Sequence, residues 1–203
     1  MSFPLDEGES TAKDEWEVWW DARVAAMESI LGKSESEIFH APIPIYLEPE
    51  GMGAADVIYF RHHVEGVVYV TSDLIGCELQ VPNELGNYEL MICHREDHDW
   101  GPTIISQLAR YTLQTELKPG DTMDIESAVP EGSKITALLF FDYARFTVRG
   151  HNSGLLLCVG ITASELNACR NGRRLLVERA LKESGVYPFT DLTRQSVKVR
   201  KQS

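Results

Sequence analysis

Positive charge is scarce in this chain. Its 203 residues carry 19 Lys and Arg against 31 Asp and Glu, a formal net charge of −12. Holding a nucleic-acid backbone requires clustered Lys and Arg, so the balance argues against nucleic-acid binding. Long apolar runs are missing as well: no stretch approaches the roughly 18 uninterrupted apolar residues of a membrane span. The N-terminal MSFPLDEGES is acidic and lacks the basic and apolar regions of a signal peptide. The four cysteines, Cys77, Cys93, Cys158 and Cys169, show no CxxC spacing. That pattern fits a reducing compartment and argues against a thiolate metal knuckle. A cytoplasmic location is the expectation.

Catalytic signatures are equally thin. There is no G-x-S-x-G elbow. The glycines of 150–154 open a strand rather than a helix, so they do not make a phosphate loop, and Asn152-Ser153-Gly154 reads as a turn before that strand. Four of the six histidines fall in two groups, His62-His63 and His94-x-x-x-His98, the second flanked by Glu96, Asp97 and Asp99. Two histidines four apart chelate well on one face of a helix, but here the chain leaves a strand and enters a loop. His62 and His63, read as strand neighbours, point to opposite faces. No metal and no cofactor is expected. Asp73, Glu89, Asp142 and Asp191 are isolated acids whose spacing gives no reason to pair them.

What the chain does contain is an ordered series of packing elements. Its length suits one domain, large enough to bury about 70% of the surface its unfolded chain exposes. Residues 1–10 read as a disordered lead-in, and a helix opens at Thr11. Trp16, Trp19, Trp20, Val24, Met27, Ile30 and Leu31 follow at the spacing of one stripe, expected to pack on a sheet, with Gly32 as its stop. Proline-flanked 43–47 reads as an edge strand or extended arm. Residues 56–63 and 67–72 flank a Glu65-Gly66 turn, 76–86 is a loop and 87–94 a strand. Trp100-Gly101-Pro102 starts a second helix, with Ile104, Ile105, Leu108, Tyr111 and Thr112 facing inward. Residues 121–125, 133–141 and 155–160 read as strands, the last two central because both faces are apolar. Thr162-Ala-Ser-Glu165 is a capping box, Asn171-Gly172 breaks or kinks the helix it starts, and Gly185 ends the next. The chain from Arg194 onward reads as frayed, with 198–203 a basic tail. The fold class is α+β: a single domain over residues 11–197, a mixed sheet of about seven to nine strands with helices packed on its faces.

Taken in order, YVTSDL (69–74), YELMICHRE, WGPTIISQLARYTLQT, ITASELNACRNG and YPFTDLTRQSV resemble the Suppressor of fused family, specifically its N-terminal-type domain as it stands alone in bacterial members. The resemblance covers about two-thirds of the chain. It implies an α+β domain that holds other proteins. Animal members are similar in fold but pair two domains to sequester Gli-type transcription factors; bacterial single-domain members are taken to be immunity proteins against secreted toxins. This chain ends soon after Val197, so a two-jaw clamp is not expected. Carried over residue by residue, the resemblance implies partner contact at Tyr69, Thr71 and Asp73, beside the strand holding Tyr88 and Glu89.

The reading of function is therefore a non-catalytic binding module of immunity type, partnered by another protein such as a basic toxin domain, with self-association left open. Two alternatives stand beside it: a metal-assisted hydrolase using His94, His98 and nearby acids, and a structural subunit docked through the tryptophan helix.

Overall fold

A computed structural model describes residues 15–45 and 53–199. The lead-in, the expected helix start at Thr11 and the last four residues lie outside the described residues. Helix α1 (Glu15–Leu31) comes first, followed by short strand β1 (Ile38–Phe39). Strands β2 (Val57–Phe60), β3 (Val67–Thr71) and β4 (Asn87–His94) lead into α2 (Trp100–Ala109), which tightens into a 3₁₀ turn over Arg110–Leu113. Then come β5 (Thr122–Asp124), β6 (Ile135–Val148) and β7 (His151–Thr162), and last α3 (Ala163–Ala168) and α4 (Arg174–Glu183).

The seven strands form one sheet ordered β1-β2-β3-β4-β7-β6-β5. All neighbours run antiparallel except the central pair β4 and β7, so the sheet is mixed, and its parallel pair is apolar and covered on both faces. Alternation sends Tyr69, Tyr88, Leu90 and Ile92 to the face covered by α2. Val68, Val70, Met91 and Cys93 go to the opposite face, under α1, α3 and α4. Both faces are therefore closed, and β4 is buried along nearly its whole length.

Several elements differ from expectation for identifiable reasons. Of the expected edge strand or extended arm at 43–47, residues 43–45 take the arm form and 46–47 lie outside the described residues. Pro44 makes a single bridge to Ala54, and the missing N–H of Pro42 and Pro44 denies this stretch a ladder. The short β1 takes the edge instead. His62 and His63 lie in a six-residue connection (61–66), not in a strand. There Gly66, at φ 149°, lies so close to β4 that an added Cβ would meet the His94 carbonyl oxygen at 2.1 Å. Asn152, Ser153 and Gly154 are part of β7. The turn falls earlier, at Arg149-Gly150, where φ values of 50° and 83° make the two-residue connection that matches strand twist.

The tryptophan helix packs through Trp20, Val24, Met27, Ile30 and Leu31 as expected, and departs at its first turn. Trp16 is 43% exposed and stacks on Trp20 at 5.5 Å, while the residues α1 buries are Arg23, Met27 and Leu31. Tyr111 is exposed because the α-helix stops at Ala109 and its 3.6-residue period no longer applies. Arg194, placed in the frayed tail, is buried. Its guanidinium grips Glu165 two-fold, Nη1 to Oε1 at 2.7 Å and Nη2 to Oε2 at 2.6 Å. Glu165 also closes the predicted capping box with Thr162, an arrangement worth about 1 kcal/mol.

Candidate partner-binding region

Residues 72–86 join β3 to β4 and lie over the ends of both strands. Apolar Leu74, Ile75 and Leu85 pin the segment, and polar groups beneath it fix its backbone. Glu89 is fully buried on β4. Its Oε1 accepts from the N–H groups of Leu74 (2.9 Å) and Ile75 (2.8 Å), and its Oε2 from the Thr71 hydroxyl (2.6 Å). Arg23 reaches in from α1, donating to the Ile75 carbonyl at 3.0 Å and standing 3.6 Å from Asp73 Oδ1. The other oxygen of Asp73 accepts from the Asp56 N–H at 2.7 Å. Gln80 is buried and clips the segment's middle to β4, donating to the Tyr88 carbonyl and accepting from the Tyr88 N–H. Gly76, at φ 91°, lets the Trp19 ring lie against the loop backbone. From this frame Leu79 projects 57% exposed.

The electrostatics follow from burial. Desolvation pushes the Glu89 carboxyl up to about 7, against the pull of Arg23, the Ile75 N–H and Thr71. Desolvation likewise raises Asp73 to about 6. One buried guanidinium thus faces two carboxylates that resist ionising together. Two of the four isolated acids, Asp73 and Glu89, are brought together in this way. Asp142 instead pairs with Arg145, and Asp191 binds the N–H and hydroxyl of Thr193.

All five residues singled out from sequence are buried, and their polar atoms point inward. Thr71, Asp73 and Glu89 belong to the network just described. Tyr88 accepts from the Leu117 N–H at 3.2 Å, and burial pushes its hydroxyl up to about 12. Tyr69, in the middle of β3, donates to Asp97 at 2.6 Å and accepts from the His98 N–H at 2.9 Å, both in the stretch after β4. Sequence reasoning passed over Arg23, although a signal was present: it falls on the line Trp19, Arg23, Met27, Leu31, four residues apart, where an apolar side chain is due.

The histidine cluster is arranged for packing. The His94 and His98 rings stack at 5.6 Å, His98 Nδ1 accepts from the Trp100 N–H, and Asp97 is engaged by Tyr69 and Arg61. Burial pushes the His94 imidazole down to about 4, and its Nε2 faces Gly101 in the first turn of α2. Among the described residues, no three His, Cys, Asp or Glu side chains converge as metal ligands. No described helix is long and apolar enough to cross a membrane.

Sheet order, helix placement and the braced 72–86 segment define a mixed-sheet α+β domain with closed faces and a fixed connecting loop. The family model for Suppressor of fused protein (SUFU) matches residues 53–195, and the chain belongs to that family. No curated protein matches. Among solved structures, the chain is similar to a SUFU homologue from Neisseria gonorrhoeae, at 18% identity and a TM-score of 0.64, covering 91% of this chain and 98% of that one. It is also similar to a chain of the Sufu–Fu complex, at 14% identity and a TM-score of 0.68, covering 88% and 91%. Drosophila Suppressor of fused matches at 16% identity and a TM-score of 0.66 over 88% of this chain, which spans about half (51%) of the Drosophila protein.

Proposed function

We propose that this chain is a non-catalytic protein-binding module that holds and neutralises a basic partner, an immunity-type protein in the cytoplasm. The observation that carries the reading is the use made of its buried ionisable groups. Arg23 and Glu89 spend their hydrogen bonds on the backbone of one surface loop, at Leu74 and Ile75, and Arg23 stands beside Asp73 in the same loop. A loop held from below presents its outer side chains with little ordering cost, which favours association. The net charge of −12 suits a basic partner through long-range steering. A related fold crystallised as the Sufu–Fu complex is consistent with protein binding in this chain.

In this reading Tyr69, Thr71, Asp73, Tyr88 and Glu89 form the partner-binding region as positioning residues, and direct contact falls to the loop above them, led by Leu79. The test is co-expression with the product of the adjacent gene, followed by co-purification. A complex weakened by salt and by Leu79→Asp supports the proposal. Separate elution of the two proteins, or turnover of a substrate by the purified chain, overturns it.

A further inference from the structure

Residues 74–79 form a short strap tied down at both ends. On the entry side, the Ser72 N–H donates to the Asp56 carbonyl at 3.0 Å and Asp73 accepts from the Asp56 N–H. On the exit side, Gln80 is clipped to the N–H and the carbonyl of Tyr88. Between these ties, Cys77 donates to the Leu74 carbonyl and Gln80 to the Cys77 carbonyl, both turns within the strap. The strap backbone meets the body of the protein at Leu74 and Ile75, through Glu89 Oε1 and the Arg23 guanidinium. The Leu74 and Ile75 side chains are buried, while Glu78 and Leu79 face solvent.

The carboxyl beneath the strap is pulled two ways. Two N–H groups and the Thr71 hydroxyl point at Glu89 and favour its charge, whereas complete burial opposes it. One guanidinium also serves two carboxyls. Arg23 Nη2 stands 3.6 Å from Asp73 Oδ1, beyond hydrogen-bond length, and neither it nor Nε has a hydrogen-bond partner among the described residues. The groups facing the pair are Arg23 from α1, Thr71 at the end of β3, Asp56 before β2 with His40 beyond it, and Cys77 in the strap. From β7 the register neighbour of Glu89 is apolar Leu155. Burial wins, and both carboxyls are raised, Glu89 to about 7 and Asp73 to about 6. A carboxyl that reaches water returns to its ordinary range, so lifting the strap lowers its proton affinity, and losing the proton favours lifting.

We infer that residues 74–79 are a proton-sensitive strap, closed over Glu89 while the Asp73–Glu89 pair holds a proton and lifting more readily once that proton leaves. Leu79 rides on the strap, so the proton sets how firmly that side chain is presented. The device belongs to the free chain and goes beyond the question of what binds there.

The test is amide hydrogen exchange on the full 15N-labelled chain, corrected for intrinsic rates and followed at the Leu74 and Ile75 N–H groups. Their opening constant should rise on the order of tenfold between pH 5.5 and pH 7.5. It should be insensitive to low urea, whereas core amides of β4 and β7 open through urea-sensitive global unfolding. Glu89→Gln keeps an acceptor for both N–H groups but cannot ionise, so its opening constant should stay flat with pH. Asp73→Asn should keep the rise and move its midpoint down, because a negative neighbour of Glu89 is gone. A pH-independent opening constant in the wild type would overturn the inference. So would Leu74 and Ile75 tracking the core amides in urea, or the full rise persisting in Glu89→Gln. The wild-type series decides alone if a variant does not fold.

Discussion

The Thr71 hydroxyl donates to Glu89 Oε2 at 2.6 Å while its oxygen accepts from the Leu90 N–H at 2.8 Å, so one side chain ties the end of β3 to the carboxylate that holds the neighbouring loop. Because Glu89 Oε1 holds that loop at Leu74 and Ile75 while Oε2 holds the end of β3, the charge state of Glu89 and the loop's stability are coupled.

The coupling has a definite sign. Glu89 rises from its ordinary value of 4.5 to about 7 in the folded chain, so it contributes stability that is fully present below about pH 4.5 and lost as pH rises through about 7. Asp73, raised from 3.8 to about 6, acts the same way. His94, lowered from 6.5 to about 4, acts oppositely: its contribution is present above about pH 6.5 and lost as pH falls through about 4. Glu89→Gln removes only the first of these. Urea unfolding at pH 5 and pH 8 should show the variant gaining on the wild type as pH rises, by on the order of 3 kcal/mol across the window. Parallel pH profiles would contradict the assignment.

Removing the cation gives the complementary result. Arg23→Met leaves Glu89 and Asp73 facing each other without a counter-charge, at a cost of about 3 kcal/mol at pH 8. At pH 5 both carboxyls are mostly protonated, and the cost should fall to about half of that. A loss independent of pH would mean that Arg23 contributes packing alone.

The Glu165–Arg194 pair predicts strong non-additivity. Burial opposes ionisation of Glu165, but the Arg194 fork and the Thr162 and Val197 N–H groups outweigh it and hold the carboxyl below its usual range. Arg194→Met should cost about 3–5 kcal/mol by leaving that charge unpaired, and adding Glu165→Gln should restore part of the loss. Simple additivity in the double-mutant cycle would show the pair to be uncoupled.

Backbone approach gives a purely steric prediction. Gly66→Ala places a Cβ 2.1 Å from the His94 carbonyl oxygen, where the connection from β2 enters β3 beside β4. The variant should lose about 3 kcal/mol or more, read as a fall in the urea midpoint. An unchanged midpoint would mean that the 61–66 connection moves aside freely.

These cases also show what could be read from sequence. Asn87–His94, the Thr162 capping box and the Asn171-Gly172 kink were legible because local rules decide each of them. β6 runs on to Val148 because polar, alternating DYARFTV belongs to a ribbon whose turn uses Arg149 at positive φ, a conformation few would assign to arginine. The acidic pair at the core of the candidate region escaped notice for another reason. Asp73 and Glu89 are brought together by Arg23, some fifty or more residues away in sequence, and only that arginine's place on the buried line of α1 hinted at it.

The central claim, that this chain acts by binding a basic protein, is tested most directly by light scattering on a size-exclusion column after co-expression with the product of the adjacent gene. The account predicts a single complex of defined stoichiometry at low salt that separates into its components as ionic strength rises past the point where surface charges are screened. Two independently eluting proteins at every salt concentration would contradict it.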